Sequence, residues 1–490
     1  MAVRIRWDTT QALRRMTLAF SRRRRGALSH KTGVKGMTRF VLTLTLTLAL
    51  SLLGGQASAP PASPTTANGP RASGRVIVSG MQFLDASGKP LLVHGINVAN
   101  KSPQERYVGD FTPDDYAAIR SWGMNCIRLA IFWDGLEPQP GHLDDAYLEL
   151  IAQRVEWAKA RGLYVLLDMH QDLYSVKFSD GAPAWATLDE GKPFTRTGVW
   201  SDAYYASAAV EAALDHFWAN TTAPDGVGLQ DHYARVWQVV AQRFRDEPAV
   251  IGFDLMNEPF PGKDASRVLQ SSLERLSEML AARLGAKAPA FPALLAMEST
   301  PQGRRQIAKW LEDMVLFRGM LEPATPIMQD FERGRLMPMY AKVRAAIRTV
   351  DSRHILFLEP AMSANMGIPS ALTPLVDESG KRDPEQAYAP HAYDLVTDTD
   401  SIDLESNERL ALILQRHARL ARTFEMPMVV GEWGAFYGNP AAAGAARFTV
   451  RQFDLLGCGD LYWAYRRELA GSPLLRSLER PRRGQRVLEW

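Results

Sequence analysis

Two glutamates, Glu258 and Glu432, each follow a short apolar run with the composition of a buried strand. Glu258 stands between Asn257 and Pro259, and Glu432 follows Gly431 at the end of a Val-Val run. Two carboxyl groups, one kept protonated and one ionised, can act as proton donor and nucleophile on a glycosidic bond. We therefore predict Glu258 as general acid/base and Glu432 as nucleophile. A helix cap or an ion pair is the structural alternative for either glutamate alone.

Further polar and aromatic residues occupy the same place, at or just after the ends of apolar runs. Because the carboxyl ends of parallel strands meet at one end of a barrel, we expect these side chains to converge on one pocket. A purely structural role would not explain why these polar residues cluster at one end of the strands. The set consists of Asn97, Lys101, Arg128, Asp168–Asp172, Asn257, His391, Tyr393 and Trp463.

Eight apolar runs alternate with amphipathic stretches along the chain. The runs are Leu91–Asn97, Cys126–Trp133, Tyr164–His170, Val250–Asn257, Ile355–Glu359, Tyr388–His391, Met428–Glu432 and Asp460–Ala464; helical patterns cover Asp114–Trp122, Asp145–Arg161, Asp231–Phe244 and Asn407–Phe424. Continuous apolar strands are typical of a parallel sheet covered by helices. Eight such units predict an α/β fold, the (β/α)₈ TIM barrel. A doubly wound sheet is the alternative, but no glycine-rich phosphate loop follows the first strand.

The connection between Pro259 and Ile355 is far longer than the others and has helical periodicity. Only one helix is needed to cover the sheet there, so we predict a helical insertion between strands four and five, at about residues 263–345. Its expected helices are Ser271–Leu284, Arg304–Leu321 and Met339–Val350. The insertion contains seven of the chain's 18 methionines. Methionine suits surfaces that accept mobile acyl chains, although it also fills gaps between packed helices.

The amino-terminal segment has the composition of an export signal. A cluster of Lys and Arg precedes an apolar run at residues 40–53, and the small residues Ala57-Ser58-Ala59 follow. We expect residues 1–59 to be a leader cleaved after Ala59 in a secreted or periplasmic protein. Residues 60–75 would form a flexible linker, and residues 76–490 the catalytic domain. An uncleaved membrane anchor, and a start at Met37 instead of Met1, remain alternatives.

Charge is distributed unevenly along the chain. Residues 1–59 contain eleven of the 57 Lys and Arg residues and one of the 54 Asp and Glu residues. The rest of the chain therefore has 46 basic and 53 acidic residues. A basic surface for nucleic acid is not expected on a domain of this composition.

Two cysteines, Cys126 and Cys458, are too few for a disulfide framework and lie in apolar runs, so we expect two buried free thiols. His170 and Asp172 form a candidate metal pair that lacks a third ligand nearby in the sequence. We predict neither a metal site nor a cofactor.

Several of these segments resemble glycoside hydrolase family 5. Val250–Pro259 and Val430–Gly434 are similar to the two catalytic segments of that family, a (β/α)₈ barrel with its acid/base after strand four and its nucleophile after strand seven. Asp168-Met169-His170-Gln171-Asp172 most resembles the endoglycoceramidase branch. The resemblance covers about residues 90–470, and further matches are Trp122–Asn125, Arg128-Leu129, Trp133–Pro138 and Gly181–Trp185.

The resemblance implies roles for the matching positions. Arg128 would keep Glu432 ionised through a charge-assisted hydrogen bond, and Tyr393 would donate a hydrogen bond to the same carboxylate. Trp463 would stack beneath the sugar ring. The polar edges of the sugar would be bound by Lys101, His170, Asp172 and Asn257, and His391 would either contact the sugar or pack beside it. A retaining enzyme would hold its two carboxyl groups about 5–5.5 Å apart.

The implied activity is that of a retaining endo-β-glycosidase that cleaves an oligosaccharide from a ceramide-type lipid. Its partners would be a glycolipid or glycan and, transiently, a membrane or micelle surface; no obligate protein partner is indicated. A β-1,4-glucanase, a mannanase or a β-glucosidase is the alternative within the class. A non-catalytic carbohydrate-binding barrel is a remote third, because both glutamates are present. Aromatic residues in the long third and fourth loops, among them Trp200 and Tyr205, favour a covered site over an open cleft.

Overall fold

The computed structural model describes residues 75–480. The predicted leader lies outside these residues, and so does the predicted linker except for Arg75. Arg75 is buried, and its Nη2 donates to the carbonyl oxygen of Arg245 at 2.6 Å. The folded domain therefore includes Arg75, one residue earlier than the sequence predicted.

A small antiparallel sheet that the sequence analysis missed precedes the barrel. Its strands are β1 (Ile77–Ser79), β2 (Gln82–Leu84) and β3 (Pro90–Leu91). Phe83 of β2 is buried and packs on the ring of Phe357, with centroids 5.9 Å apart. It belongs to a cluster of residues from the first halves of the barrel strands, including Leu166 and Val429, so the small sheet covers the amino-terminal end of the barrel.

The main sheet is parallel throughout. Its strands are β4 (His94–Val98), β5 (Cys126–Phe132), β6 (Tyr164–His170), β7 (Val250–Asp254), β8 (Ile355–Leu358), β9 (Gln386–Tyr388), β10 (His391–Ala392), β11 (Val429–Gly434) and β12 (Gly459–Trp463). Their order is β10-β11-β12-β4-β5-β6-β7-β8-β9. Tyr388 of β9 forms a bridge with Met428, and His391 of β10 pairs with Glu432 of β11, so the sheet closes into the predicted eight-stranded barrel.

The sixth barrel strand, predicted as one segment, is divided into β9 and β10. Pro390 lies in the gap and has no backbone N–H for the ladder, which explains the interruption. Its carbonyl oxygen still accepts the N–H of Gly431 at 2.9 Å. The register next to Glu432 is thereby kept, and β10 places His391 beside that glutamate.

Helices cover the outside of the barrel, and several begin where a polar side chain caps the first turn. Asp144 accepts the N–H of Tyr147, and Ser406 accepts the N–H of Arg409. The helices are α1 (Pro113–Ser121), α2 (Trp133–Leu136), α3 (Asp145–Ala160), α4 (Ala203–Ala206), α5 (Ala208–Trp218), α6 (Leu229–Phe244), α7 (Ala265–Leu284), α8 (Phe291–Glu298), α9 (Pro301–Trp310), α10 (Met314–Leu321), α11 (Ala324–Phe331), α12 (Met337–Arg348), α13 (Asn407–Thr423), α14 (Ala443–Leu456) and α15 (Leu475–Leu478).

The insertion between β7 and β8 contains more helices than the sequence predicted. The expected helix Arg304–Leu321 is two helices, α9 and α10, because the carboxylate of Asp313 accepts the N–H groups of Val315 and Leu316 and starts a new helix. Helices α8 and α11 were not predicted. Helix α12, which follows a π-helical turn at Glu332–Leu336, packs on α6 as the covering helix of this barrel unit. The inserted part therefore comprises α7 to α11.

Both cysteines are free and buried, as predicted. Cys126 begins β5, and Cys458 lies one residue before β12. Burial raises the pKa of both thiols, that of Cys458 to about 12, so they behave as small apolar side chains. Within residues 75–480, no helix combines the length and the apolar character that a membrane span requires.

A buried ion pair joins the sixth barrel unit to the insertion. Arg409 of α13 and Asp394 have fully buried side chains, and Arg409 Nη2 lies 2.8 Å from Asp394 Oδ1. Arg409 Nη1 also donates to the carbonyl oxygen of Leu311, directly after α9, at 3.3 Å. Asp394 follows Tyr393, so this pair holds the loop that carries Tyr393 against the insertion.

We predict that Arg409→Ala lowers the free energy of unfolding by about 3–5 kcal/mol, because it leaves the buried carboxylate of Asp394 without its cation. Arg305→Ala is the matched control. Arg305 also forms a two-pronged pair, with Asp403, but its side chain is 39% exposed, and its loss should change stability by about 1 kcal/mol or less. Denaturant unfolding of both variants provides the measurement, and similar losses would contradict the prediction.

Candidate active site

A cavity of about 840 Å³ lies at the carboxyl end of the barrel strands. It is lined by eight of the ten predicted site residues: Lys101, His170, Asp172, Asn257, Glu258, Tyr393, Glu432 and Trp463. The other two, Arg128 and His391, are fully buried and do not line it. They were predicted to bind the substrate. Because they do not line the cavity, they can influence a bound substrate only through the carboxylates that they contact.

The two predicted catalytic glutamates lie close together. One carboxylate oxygen of Glu258, one of Glu432 and one ring nitrogen of His391 are all within 4.8 Å of one another. Retaining glycosidases hold their carboxyl groups about 5–5.5 Å apart, whereas inverting enzymes leave roughly 6.5–9.5 Å for a water molecule. The pair therefore has the short spacing that a covalent mechanism needs.

Each oxygen of the Glu432 carboxylate accepts a hydrogen bond. Arg128 Nη1 donates to Oε1 at 2.7 Å, and the Tyr393 hydroxyl donates to Oε2 at 2.9 Å. The side chain of Arg128 is fully buried, so its charge is little screened by solvent. These contacts stabilise the ionised form of Glu432 and fix the direction of its oxygens.

Glu258 has a different environment. The Asn365 amide donates to Glu258 Oε1 at 2.6 Å, and His391 Nδ1 lies 2.9 Å from the same oxygen. Burial raises the pKa of both glutamates. His391 lowers the pKa of both, whereas Arg128 lowers only that of Glu432. The Glu432 charge raises the pKa of Glu258 further. The additional contact of Glu432 with Arg128 therefore favours Glu258 as the protonated member of the pair.

His391 lies between three carboxyl groups. Its Nε2 is 3.2 Å from Glu359 Oε1, and its Nδ1 is 3.6 Å from Glu432 Oε2 as well as close to Glu258. Burial disfavours a charged imidazole, but Glu359, Glu432 and Glu258 together raise the pKa of His391 well above its ordinary value. It is thus a buried cation that holds the carboxyl groups in place.

Sequence reasoning missed Glu359, which supports the backbone of Glu258. Glu258 has φ of 44°, a left-handed conformation that is unfavourable for a residue with a side chain. Its N–H donates to Glu359 Oε2 at 2.9 Å, and its carbonyl oxygen accepts from Gln171 Nε2 at 3.1 Å. Glu359 ends the predicted fifth strand, so its position was a usable signal. Asn365 lies in the following loop, where no motif marks it.

The opposite wall has groups suited to sugar hydroxyls. His170 Nδ1 lies 2.8 Å from Asp168 Oδ2, and its Nε2 has no hydrogen-bond partner among the described residues. Its ring stacks against Trp463, with centroids 5.3 Å apart and planes 8° apart. Lys101 forms an ion pair with Asp172 and lies 4.9 Å from the centre of the Trp463 ring. An aromatic face, an imidazole nitrogen and a cation thus meet on one side of the cavity.

Within residues 75–480, three groups of acidic and histidine side chains come close enough to hold a metal ion: His170, Asp172 and Asp180; Glu258, His391 and Glu432; and Asp168, Asp254 and Glu359. Each group already has a protein cation, since Lys101 contacts the first and Arg128 contacts Glu432 and all three members of the last. A metal ion would be repelled by these charges at short range.

A closed (β/α)₈ barrel with two buried glutamates at this spacing has the architecture of the retaining glycosidases. Residues 84–300 and 301–468 match the family model Cellulase (glycosyl hydrolase family 5). The chain belongs to glycosyl hydrolase family 5.

The chain is similar to several endoglycoceramidases. It is 31% identical to endoglycoceramidase I of Rhodococcus hoagii over 42% of this chain and 43% of the relative, and 34% identical to the endoglycoceramidase of Cyanea nozakii over 37% and 41%. The match thus spans about two fifths of the length of these curated relatives. Endo-glycoceramidase II from Rhodococcus sp., solved as a ganglioside GM3 complex, has a TM-score of 0.61 at 27% identity over 82% of this chain and 81% of its own. The same protein solved as a lactosyl-enzyme intermediate has a TM-score of 0.59 at 29% identity, over 81% and 80%.

We predict that Glu359→Gln moves the alkaline limb of the pH profile of kcat/KM to lower pH. The negative charge of Glu359 raises the pKa of Glu258, and an acid catalyst stops working as pH rises through its pKa. Removing that charge lowers the pKa of Glu258, so the limb should fall by about one pH unit. The pH dependence of glycoside hydrolysis provides the measurement.

Glu332→Gln is the matched control. Glu332 is another buried glutamate that accepts a backbone hydrogen bond, from Ala361 at 3.0 Å, but it does not line the cavity. Replacing Glu332 should affect stability without shifting the alkaline limb of the pH profile of kcat/KM. A limb that is unchanged or shifted to higher pH in Glu359→Gln would refute the role of Glu359.

Proposed function

We propose that this protein is a retaining endo-β-glycosidase that cleaves the bond between a glycan and a lipid aglycone of the ceramide type. The proposal rests mainly on one observation. A single cavity is lined at one side by Glu258 and Glu432 and at another by apolar side chains of the inserted helices. A site of this composition can hold a sugar at the carboxyl pair and an apolar leaving group beside it.

The carboxyl pair can perform the reaction in two steps. Glu432 attacks the anomeric carbon while Glu258 gives its proton to the glycosidic oxygen, so the aglycone leaves as a neutral alcohol and a glycosyl–enzyme ester remains. Glu258, now ionised, then takes a proton from water, which attacks the same carbon. The glycan is released, and Glu432 regains its charge next to Arg128.

The apolar side of the cavity is built largely by α7, α9 and α10. Its members include Val268, Leu273, Ile307, Phe317, Met320 and Leu321. Methionine contributes little to this surface: among the seven methionines of the predicted insertion, only Met320 lines the cavity. Met328 and Met339 are buried, and the others pack against the core. Branched and aromatic side chains, rather than methionine, provide the apolar wall.

The names of the relatives support a glycolipid substrate. Two are endoglycoceramidases, and the structural neighbour was solved both with a ganglioside and as a lactosyl-enzyme intermediate. The alternatives within the class fit the cavity less well. A glucanase or mannanase needs an open cleft along which a polysaccharide can lie, whereas α8 and α9 contribute Leu295, Arg304 and Ile307 to the walls of this cavity. A β-glucosidase for small glycosides would not need the apolar wall.

We also propose transient contact with a membrane or micelle. Leu284, Leu295 and Val315 of the insertion are large apolar side chains that are 42–63% exposed, and Leu295 also lines the cavity. An apolar surface beside the entrance would let a lipid chain leave an aggregate without entering water.

Export is a further part of the proposal, supported by the composition of residues 1–59. The mature protein is expected to begin at Pro60. Intact mass of the protein recovered outside the cytoplasm provides the measurement, and a mass that includes the leader would favour the uncleaved anchor.

We predict opposite behaviour of two active-site variants. Glu432→Gln should form no glycosyl-enzyme, because the nucleophile is gone. Glu258→Ala should lose about 10²–10⁴-fold in kcat on a glycolipid but far less on an aryl glycoside with a good leaving group, which needs little protonation. Intact mass should detect an accumulated glycosyl-enzyme only in Glu258→Ala. Identical responses of both variants to the activated substrate would refute the assignment.

We predict that Leu295→Asp lowers kcat/KM on a glycolipid about tenfold while changing that on a short aryl glycoside less than about twofold, because only the lipid needs the apolar wall. Leu455→Asp is the matched control, since Leu455 is also exposed, on α14, but does not line the cavity. It should leave both activities unchanged. Equal losses on both substrates in Leu295→Asp would leave the lipid assignment without support.

A further inference from the structure

Four of the polar side chains that line the cavity come from the third βα connection and the insertion, which meet there. Asp202 and Tyr205 come from the third βα connection, and Glu298 and Arg304 come from α8 and α9 of the insertion. All four line the cavity that also contains Glu258 and Glu432. We refer to these four residues as the polar island.

Arg304 connects the two sides of the polar island. Its Nη1 donates to the carbonyl oxygen of Glu298 at 2.8 Å and to Asp202 Oδ2 at 3.3 Å. Its Nε and Nη2 make no hydrogen bond with another residue in the part of the chain that the structure describes. The Arg304 side chain is 15% exposed and lines the cavity.

Two further groups of the polar island lack a protein partner. Among residues 75–480, neither the Glu298 carboxyl nor the Tyr205 hydroxyl forms a hydrogen bond. Both residues are partly exposed and line the cavity, so these two groups are accessible to a ligand there. Burial, assisted by the nearby charge of Asp202, raises the pKa of Glu298 to about 7. Glu298 can therefore accept or donate a hydrogen bond near neutral pH.

The polar island lies next to the place where an aglycone leaves. The ring of Tyr205 packs edge-on against Phe260, with centroids 5.2 Å apart and planes at 87°. Phe260 is two residues beyond Glu258, the group that would protonate the glycosidic oxygen. The ring of Tyr205 thus packs on the segment that carries Glu258.

We propose that the polar island recognises an amide group in the lipid aglycone, a few bonds from the glycosidic oxygen. This inference rests on the proposed function and deepens it. The amide N–H would donate to the Glu298 carboxylate, and the amide oxygen would accept from the Tyr205 hydroxyl. A plain alkanol or a sterol, whose one oxygen is already in the glycosidic bond, offers nothing to these groups and leaves them unpaired.

A purely structural role would be to join the third βα connection to the insertion. The contact between Arg304 and Asp202 suffices for that purpose. It involves neither the Glu298 carboxyl nor the Tyr205 hydroxyl, so replacing these two groups separates recognition from structural support.

The test compares substrates that share one glycan and differ in the aglycone: N-acyl sphingosine, sphingosine with a free amine, an alkanol of matched length, and an aryl group. Glu298→Leu and Tyr205→Phe should each lower kcat/KM on the N-acyl substrate about tenfold, the value of one hydrogen bond. Activity on the alkyl and aryl substrates should change less than about twofold. Glu278→Leu, which removes a solvent-exposed glutamate of α7, should leave all four activities unchanged.

The outcomes separate this inference from the function on which it rests. Equal losses on the N-acyl and alkyl substrates, or no loss on either, would overturn the inference and leave the glycolipid activity intact. A selective loss on the free-amine substrate alone would mean that the polar island binds a cation and would overturn the amide assignment. A wild-type protein that cleaves only the aryl glycoside would overturn the proposed function, and the inference with it. Thermal melting verifies folding, and Tyr205→Phe, which removes only one oxygen, tests the inference even if Glu298→Leu is unstable.

Discussion

The site depends on one buried guanidinium. Arg128 extends from β5 into the barrel and links the ends of five other strands, contacting Asn97, Asp168, Asp254, Asn257, Glu359 and Glu432 at 2.7–3.0 Å. A planar group with five N–H donors can hold several acceptors in fixed directions. The positions of Glu432 and of the side chains around it are therefore set together rather than one at a time.

The same cluster explains how two neighbouring glutamates can differ in protonation. Arg128 and His391 are the cations nearest to five buried carboxyl groups, so the carboxyls cannot all be charged. Burial raises the pKa of Asp168 to about 7 and raises that of Asp254 strongly. The pKa of Glu359, in contrast, is lowered. Burial raises this pKa, but the contacts with His391 and Arg128 lower it by more. Glu359 and Glu432 each contact both cations, whereas Asp168 and Asp254 contact only Arg128 and Glu258 contacts only His391. Of the two glutamates that line the cavity, Glu258 therefore has the fewer cationic contacts.

The insertion adds walls to a cavity whose carboxyl pair is held by the barrel alone. All groups that hold Glu432 and Glu258 come from barrel strands or from the loops that follow them. Helices α7 to α10 contribute apolar walls and half of the polar island, and the pair Arg409–Asp394 ties them to the loop of Tyr393. Changes in the insertion can therefore reshape the cavity without disturbing the carboxyl pair.

The sequence by itself determined the barrel, the position of the long insertion and the two glutamates, because apolar runs, helical periodicity and strand-end residues are local signals. It did not separate side chains that line the cavity from Arg128 and His391, which lie beneath it, since burial depends on the whole fold. Glu359 and Asn365 were missed because their roles arise from contacts with Glu258, 101 and 107 residues away. The polar island likewise exists only where two distant connections meet. The local sequence pattern determines which helices and strands form. Closure of the barrel then brings the strand ends together, and this determines which polar groups interact and which of them line the same cavity.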